Sequence, residues 1–445
     1  MGWEVLGLIL LEMAAEQEAA LPLRTAGPWS VAVGPGETTL QGRRIRLPQA
    51  VILEVPPVEP VRVRDEFHAA LPQFNEKAGS WMRGAHFRQL EAEECTATGL
   101  MVPGSVRVKP AAGESTPFVE GQDYRLDEMW ANFGRIEGGA LAADQPVYVD
   151  YDYVPCRIDS VVVGPTDEVK LVSGRPATVG ILPPELAPGE VAVANLWLAG
   201  PLAQLTDENL FPIEPEPVRR REGPAVAETL LPRTLAKLRA GDKVTIVAWG
   251  DSVTAGGGVG QQVECWYQHR FAALLRQRFP QADITMLTAA WPGYNSRAYL
   301  DQPPGSAYDF ERDVLAPRPD LVTIEFVNDA YLSEEQVQTQ YAEILERLAG
   351  IGAEVILIAP HLVRPDWMGM ATMKFDEDPR PYVKGLKRFA AAHRVALADV
   401  SQRWCRLWRQ GIPYLTLEAN WINHPDARGH ELFAQALIDL FPEQR

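Results

Sequence analysis

Cysteine and histidine are scarce in this chain, and each scarcity removes a class of protein. Four cysteines, Cys95, Cys156, Cys265 and Cys405, serve 445 residues, and none forms a C-x-x-C pair. That spacing excludes a zinc finger or a dithiol redox motif, and a chain of this length needs no disulfides to hold a core. Free, buried thiols are expected. The seven histidines do not fall at metal-ligand spacing near the cysteines, so no metal is expected. Basic residues are also in deficit, with 42 Lys and Arg against 59 Asp and Glu and a formal net charge of −17. This balance argues against nucleic acid or an anionic membrane surface as the main partner. No apolar run reaches transmembrane length, so no membrane span is expected. Residues 3–13 are apolar, but no Lys or Arg precedes Arg24, and Glu4 and Glu12 bracket the run. The segment reads as a packed or amphipathic helix rather than a secretory leader, which makes the cytoplasm the default location, or secretion if a leader has been removed. Fixed-period repeats and low-complexity tracts are missing too.

What is present is ordinary globular composition, 46% hydrophobic and 23% charged, in a chain long enough for two or three domains. After a lead segment (1–26), residues 27–211 alternate and punctuate like strands and turns. Strands are expected at 29–33, 43–53, 61–63, 106–108, 147–154, 158–163, 168–172 and 191–198, with no long helices between them. That pattern predicts a sandwich or jelly-roll-like β-rich region, in one or two modules. In 147–153, Val147, Val149, Tyr151 and Tyr153 share one face. The two tyrosines are read as aromatic packing between sheets, with a sugar-stacking platform as the rival reading. Residues 212–241 read as a linker and short helix, with Gly241 as the helix stop.

From 242 to 445 the pattern changes to strands alternating with helices. Strands are expected at 244–249, 283–290, 321–327, 355–359 and 395–400. Helices are expected near 264–279, 333–348 (opening with a capping-box pattern), 382–393 and 427–440. This alternation predicts a five-stranded parallel sheet with helices on both faces, and ligands bind outside the carboxyl ends of such strands. Those ends carry Ser252 in a glycine-rich turn, the loop from Trp291 to Asn295, the pair Asn328-Asp329, and His361. The loop before the last helix adds Asn423-His424. A hydroxyl, a glycine amide, a carboxamide and an imidazole are the set that ester hydrolysis requires.

The residues that carry a family likeness are Gly250-Asp251-Ser252-Val253, Gly293, Val327-Asn328-Asp329, and His424-Pro425 with Gly429-His430. In that order they resemble the first, second, third and fifth blocks of the GDSL (SGNH) hydrolase superfamily. The likeness covers roughly the last two hundred residues. It implies a flavodoxin-like three-layer α/β sandwich, Ser252 as nucleophile and His424 as base. It also implies an oxyanion hole from the Ser252 and Gly293 amides and the Asn328 side chain. Two positions depart from the family pattern: Phe326 where a glycine is usual, and Trp421 where the supporting acid usually sits. A Ser–His dyad, with a backbone carbonyl orienting His424, is the expectation drawn from that gap. Asp426, Glu418 and Asp366 are the substitute acids considered. His361 is the rival base and otherwise lines the pocket or supports it from behind. Phe326 places a ring beside the pocket or in the core, and Trp249, Trp291, Trp367 and Trp421 form an apolar rim or fill the core. Asp251 and Asp329 are read as turn-shaping acceptors and His430 as packing.

The resulting expectation is a serine esterase acting on acetyl or other short acyl esters, with a carbohydrate ester as substrate by analogy with the β-rich region. That ester chemistry needs no organic cofactor. The rival readings are a binding or assembly protein with a degenerate hydrolase domain, and a lipid- or thioester-directed enzyme. Oligomeric state is not readable from the sequence.

Overall fold

The structure is a computed structural model that describes residues 19–114, 116–215 and 223–443. The helix expected at 3–13, and part of the linker expected at 212–241, lie outside the described residues.

The carboxyl-terminal half is built on a parallel sheet. Its strands are β1 (Lys243–Gly250), β2 (Asp283–Ala290), β3 (Leu321–Glu325), β4 (Glu354–Ala359) and β5 (Ala396–Asp399). They lie in the order β2-β1-β3-β4-β5, all neighbours parallel, which is a flavodoxin-like order with its switch beside β1. Alternate residues of β1 go to opposite faces, as strand geometry requires. Val244 and Ile246 pack with Phe271 and Leu275 of helix α1 (Tyr267–Arg278) and with Phe433 and Leu437 of helix α4 (Ala427–Ile438). Val247 and Trp249 pack with Val337, Tyr341 and Ile344 of α2 (Glu334–Ala349) and with Leu386 and Phe389 of α3 (Pro381–His393). Both faces of β1 are therefore dry, which is why its sequence is a continuous apolar run. Helix α2 starts where its capping box puts it. Ser333 Oγ accepts the Gln336 N–H at 3.2 Å, and Gln336 Oε1 accepts the Ser333 N–H at 2.8 Å.

The preceding region is β-rich and antiparallel. A four-stranded sheet, Val169–Val172, Arg157–Val163, Val191–Leu198 and Leu210–Pro212, is its largest. Three smaller sheets and a two-stranded ribbon surround it. The strand expected at 43–53 is interrupted at Pro48, giving Arg43–Leu47 and Val51–Glu54. Proline has no N–H for a ladder and fixes its own φ, so the run breaks there. Strand Val147–Tyr153 alternates buried and half-buried residues, with Tyr151 and Tyr153 on the buried side. Phe87 packs against Tyr151 at 4.7 Å between ring centroids, so these tyrosines are core, not a stacking platform.

The two halves share packing. Trp421, from the loop before α4, sits in the same buried cluster as Tyr151, Trp197 and Phe211 of the β-rich region. Ile422 packs with Cys95 and Trp130. Cys95, Cys156 and Cys405 are buried free thiols, and Cys265 is a free, half-buried one.

Candidate active site

Strand β1 ends at Gly250, and the chain turns immediately. The Gly257 N–H donates to the Ser252 carbonyl at 2.8 Å, which folds the glycine-rich segment back under the strand end. The fold needs glycine there. A Cβ on Gly257 would lie 3.0 Å from the His424 ring, and one on Gly258 would lie 2.0 Å from the Pro425 carbonyl oxygen. The turn thus lets the backbone of the loop before α4 approach closely. In the result, Ser252 Oγ stands 3.0 Å from His424 Nε2.

Neighbouring strand ends add the polar groups. Asp251 Oδ1 accepts the Val253 N–H at 3.1 Å, and its Oδ2 accepts the Asn328 N–H at 2.9 Å. That carboxylate fastens the turn after β1 to the turn after β3. Asp329 in turn accepts the Ser296 N–H and hydroxyl and the Tyr341 hydroxyl, fastening the β2 and β3 loops together. Burial pushes Asp251 up to about 7 and Asp329 up to about 6. Gly293 follows β2 with φ of +79°, and nothing lies within 4 Å of where its Cβ would be. Its outer side is open, and only glycine adopts that backbone angle without strain. The Asn328 side-chain amide donates to the carbonyl of the next residue, Tyr294, at 3.3 Å. Ser252, Gly293 and Asn328 therefore stand on the carboxyl ends of three adjacent strands.

The loop that holds His424 is organised by Asn420. Its Oδ1 accepts the N–H groups of Ile422, Asn423 and His424, at 3.0, 2.9 and 2.9 Å. On the far side of the imidazole, Nδ1 meets a carboxylate that no sequence argument indicated. Glu93 Oε2, from the β-rich region, is 3.2 Å away, and Glu94 Oε2 is 3.7 Å away. Burial pushes His424 down, but the Glu93 hydrogen bond and the charges of Glu93, Glu94 and Asp251 outweigh it, and the imidazole is held above its ordinary range. Burial pushes Glu93 up, while hydrogen bonds from His424 and the Gly258 backbone hold it below its ordinary range. With an acceptor at Nδ1, the imidazole carries its proton there and leaves the Nε2 lone pair facing the serine.

The expected oxygen from a backbone carbonyl is thus replaced by Glu93, and the three acids considered are engaged elsewhere. Asp426 caps α4 through the Arg428 and Gly429 N–H groups and pairs with Arg428. Asp366 pairs with Arg364 at 2.5 Å. Glu418 is fully buried 3.6 Å from His361 Nε2, and burial keeps its carboxyl well above the usual range. His361 is buried, bonded through Nε2 to the Asn423 carbonyl at 2.9 Å, and held well below its ordinary range by burial and Arg380. It therefore supports the loop from behind and does not line a pocket. Trp249 and Phe326 are also core residues, packed edge to face at 4.9 Å. The ring at 326 thus fills the core between the sheet and its helices. Trp421 points into the β-rich region. Trp291 is half-buried between Tyr294 and Tyr308, at 3.8 and 4.6 Å. His430 is buried in α4 with Nε2 at 2.9 Å from the Gly257 carbonyl, and burial pushes it down to about 4.

Of the expected rim, Trp367 lines an open cleft. This cleft of about 300 Å³ is also lined by Val327, Asn328, Val363, Met368 and Asn423. Trp367 is 45% exposed. Its ring lies 5.3 Å from Trp81 of the β-rich region, which lies 6.1 Å from Trp130. Arg364 stacks over Trp130 at 4.4 Å. Among the described residues no group of three or more His, Cys, Asp or Glu is arranged to hold a metal ion, and no helix is long and apolar enough to cross a membrane.

A flavodoxin-like sheet with a serine and histidine at its switch point defines a class of hydrolase domain. A family profile described as GDSL-like lipase/acylhydrolase matches residues 248–432, and this stretch is a domain of that family. Among solved structures, the chain is similar to a two-domain esterase (CEX) active on acetylated mannans. The identity is 21% and the TM-score 0.37, over 47% of this chain and 51% of that one. It therefore spans about half the length of that protein. It is also similar to Axe2, an acetylxylan esterase from Geobacillus stearothermophilus, at 18% identity and a TM-score of 0.36, over 45% and 95%. A third similar structure is LAE5, an alpha/beta hydrolase enzyme from the metagenome of Lake Arreo, Spain, at 22% identity and a TM-score of 0.36, over 44% and 94%. No curated protein matches the chain.

Proposed function

We propose that the protein is a serine esterase that removes short acyl groups, acetyl first among them, from carbohydrate esters. The observation that carries the reading is the 3.0 Å approach of Ser252 Oγ to His424 Nε2. Nε2 takes the hydroxyl proton as Oγ attacks the ester carbonyl. Negative charge then develops on the carbonyl oxygen, where the Ser252 and Gly293 N–H groups and the Asn328 amide are the donors. Each such donor is worth roughly a hundredfold in rate. Collapse breaks the acyl–oxygen bond, and the imidazolium returns its proton to the leaving alcohol. Water, deprotonated by the same nitrogen, attacks the acyl-serine and releases a carboxylic acid, and the proton goes back to Oγ.

Two features support the substrate class. The cleft beside Asn328, about 300 Å³, sits at the small end of ligand pockets, which favours a short acyl group. Trp367 gives the cleft an exposed aromatic edge, with the half-buried Trp81 ring behind it at 5.3 Å, and flat aromatic faces suit the apolar faces of sugar rings.

The test is hydrolysis of p-nitrophenyl acetate, and acetate release from acetylated polysaccharide, by wild type and Ser252→Ala. The variant is expected to lose at least roughly a thousandfold in kcat. Equal activity in both proteins would remove the esterase reading.

A further inference from the structure

We propose that Glu93, carried to the site by the β-rich region, is the residue that orients His424, so that the two halves of the chain jointly complete one active site. This rests on the esterase reading above.

The geometry around Glu93 is built for the task. Residues 91–96 form a tight hairpin. The Ala92 N–H donates to the Cys95 carbonyl at 2.8 Å, Glu91 bridges to Thr96, and Glu94 takes a positive φ of 60° at the turn. Glu93 and Glu94 are the two residues at the tip. The tip does not merely pass near the histidine. The Cys95 thiol donates to the carbonyl of Asn420, the residue whose side chain gathers the His424 loop, at 2.7 Å. On the other side of that loop, Trp421 donates its indole N–H to the Thr178 carbonyl at 3.0 Å. Burial keeps the Cys95 thiol protonated, pushed up to about 12. The carboxylate and the imidazole loop are thus locked to each other from two sides, 331 residues apart in sequence.

The position where the family resemblance expects an acid explains the substitution. Trp421 adopts a positive φ of 57°, and its ring is buried among β-rich residues. A carboxylate there would point into an apolar cluster. The same residue that removes the acid from the loop docks the loop onto the region that supplies Glu93. The carboxylate oxygen fixes the proton on Nδ1 and stabilises the imidazolium formed when Nε2 takes the serine proton. Glu93 does not touch substrate in this arrangement. It is a positioning residue.

The test uses full-length Glu93→Gln, Glu93→Asp, Glu94→Gln and Ser252→Ala, with kcat, KM and the pH profile of kcat/KM on p-nitrophenyl acetate. The charged and titratable groups facing the imidazole are Glu93 and Glu94 on the hairpin, Asp251 after β1, His361 after β4 and His430 on α4. Removing the Glu93 charge should therefore move the acid limb to lower pH. Glu93→Gln is expected to lower kcat by roughly a hundredfold or more, with KM within about threefold. Glu93→Asp should recover part of that loss, and Glu94→Gln should lose less than Glu93→Gln. A Glu93→Gln protein with wild-type kcat and an unmoved acid limb overturns the proposal, as does a greater loss in Glu94→Gln. Undiminished activity in Ser252→Ala would instead overturn the esterase reading.

Discussion

The indole of Trp421 donates to the carbonyl of Thr178 across 243 positions of sequence, and its ring lies 6.4 Å from that of Trp197. This contact fastens the loop before α4, three residues from His424, to the β-rich region. Truncating a buried aromatic costs about 3–5 kcal/mol. Trp421→Ala is therefore expected to lower the thermal midpoint strongly and to reduce kcat as well, because the loop loses its anchor. Trp421→Phe keeps most of the packing but strands the Thr178 carbonyl, a loss of about 1–3 kcal/mol. Calorimetry of both variants checks the order, and Trp421→Ala as stable as Trp421→Phe would contradict it.

Trp367 allows substrate class to be separated from chemistry. Stacking on one aromatic ring contributes about 0.5–1.5 kcal/mol, equivalent to a roughly 2- to 10-fold change in binding. Trp367→Ala should raise KM for acetylated oligosaccharides by that factor and leave p-nitrophenyl acetate unaffected. Equal effects on both substrates would speak against a sugar seated on this rim.

The acid limb of kcat/KM in the wild type reports the free enzyme's base. His424 works only when neutral, and its neighbours hold it above its ordinary range. A raised value means the neutral form appears later as pH rises, so the limb should lie above the usual histidine value of about 6.5. A pH titration of initial rates checks this, and a limb at or below that value would count against His424 as the base in this setting.

Glu418 sets a pH dependence of stability rather than of rate. Neither of its oxygens has a hydrogen-bond partner, and its carboxyl is buried. Its 3.6 Å contact with His361 is between two groups that burial keeps neutral, so it is not an ion pair. The folded state keeps a proton that the unfolded chain releases above about pH 4.3, so folding is increasingly penalised as pH rises. Glu418→Gln should raise the thermal midpoint at pH 8 by roughly 2 °C or more, with the gain vanishing near pH 4. A constant difference at both pH values would show that the carboxyl is not held neutral.

Much of this molecule could be read from its residues because the relevant physics is local. The apolar run of β1 announces a strand buried on both faces, and the Ser333 box announces the start of α2. The strand-end rule gathers Ser252, Gly293 and Asn328 before any coordinates are known, since each follows its own strand directly. What could not be read depends on tertiary placement. Glu93 sits in a short turn, Ala92-Glu93-Glu94-Cys95, whose composition resembles any solvated turn. Nothing in its neighbourhood signals a partner beyond position 400. That Trp249 and Phe326 belong to the core and not to the pocket rim is unreadable for the converse reason. They stand at strand ends, but period-two geometry turns their rings into the sheet's interior.

Because Trp421 and Ile422 are packed into clusters shared with the opposite half, the segment between Asn420 and Pro425 has no independent hinge. Crevice opening would have to be a collective displacement of the entire β-rich half, slow compared with the flicker of a free surface loop. The imidazole of His424 thus rides on the β-rich half as much as on its own sheet, and a change of packing around Cys95 or Trp197 reaches the serine through that one segment.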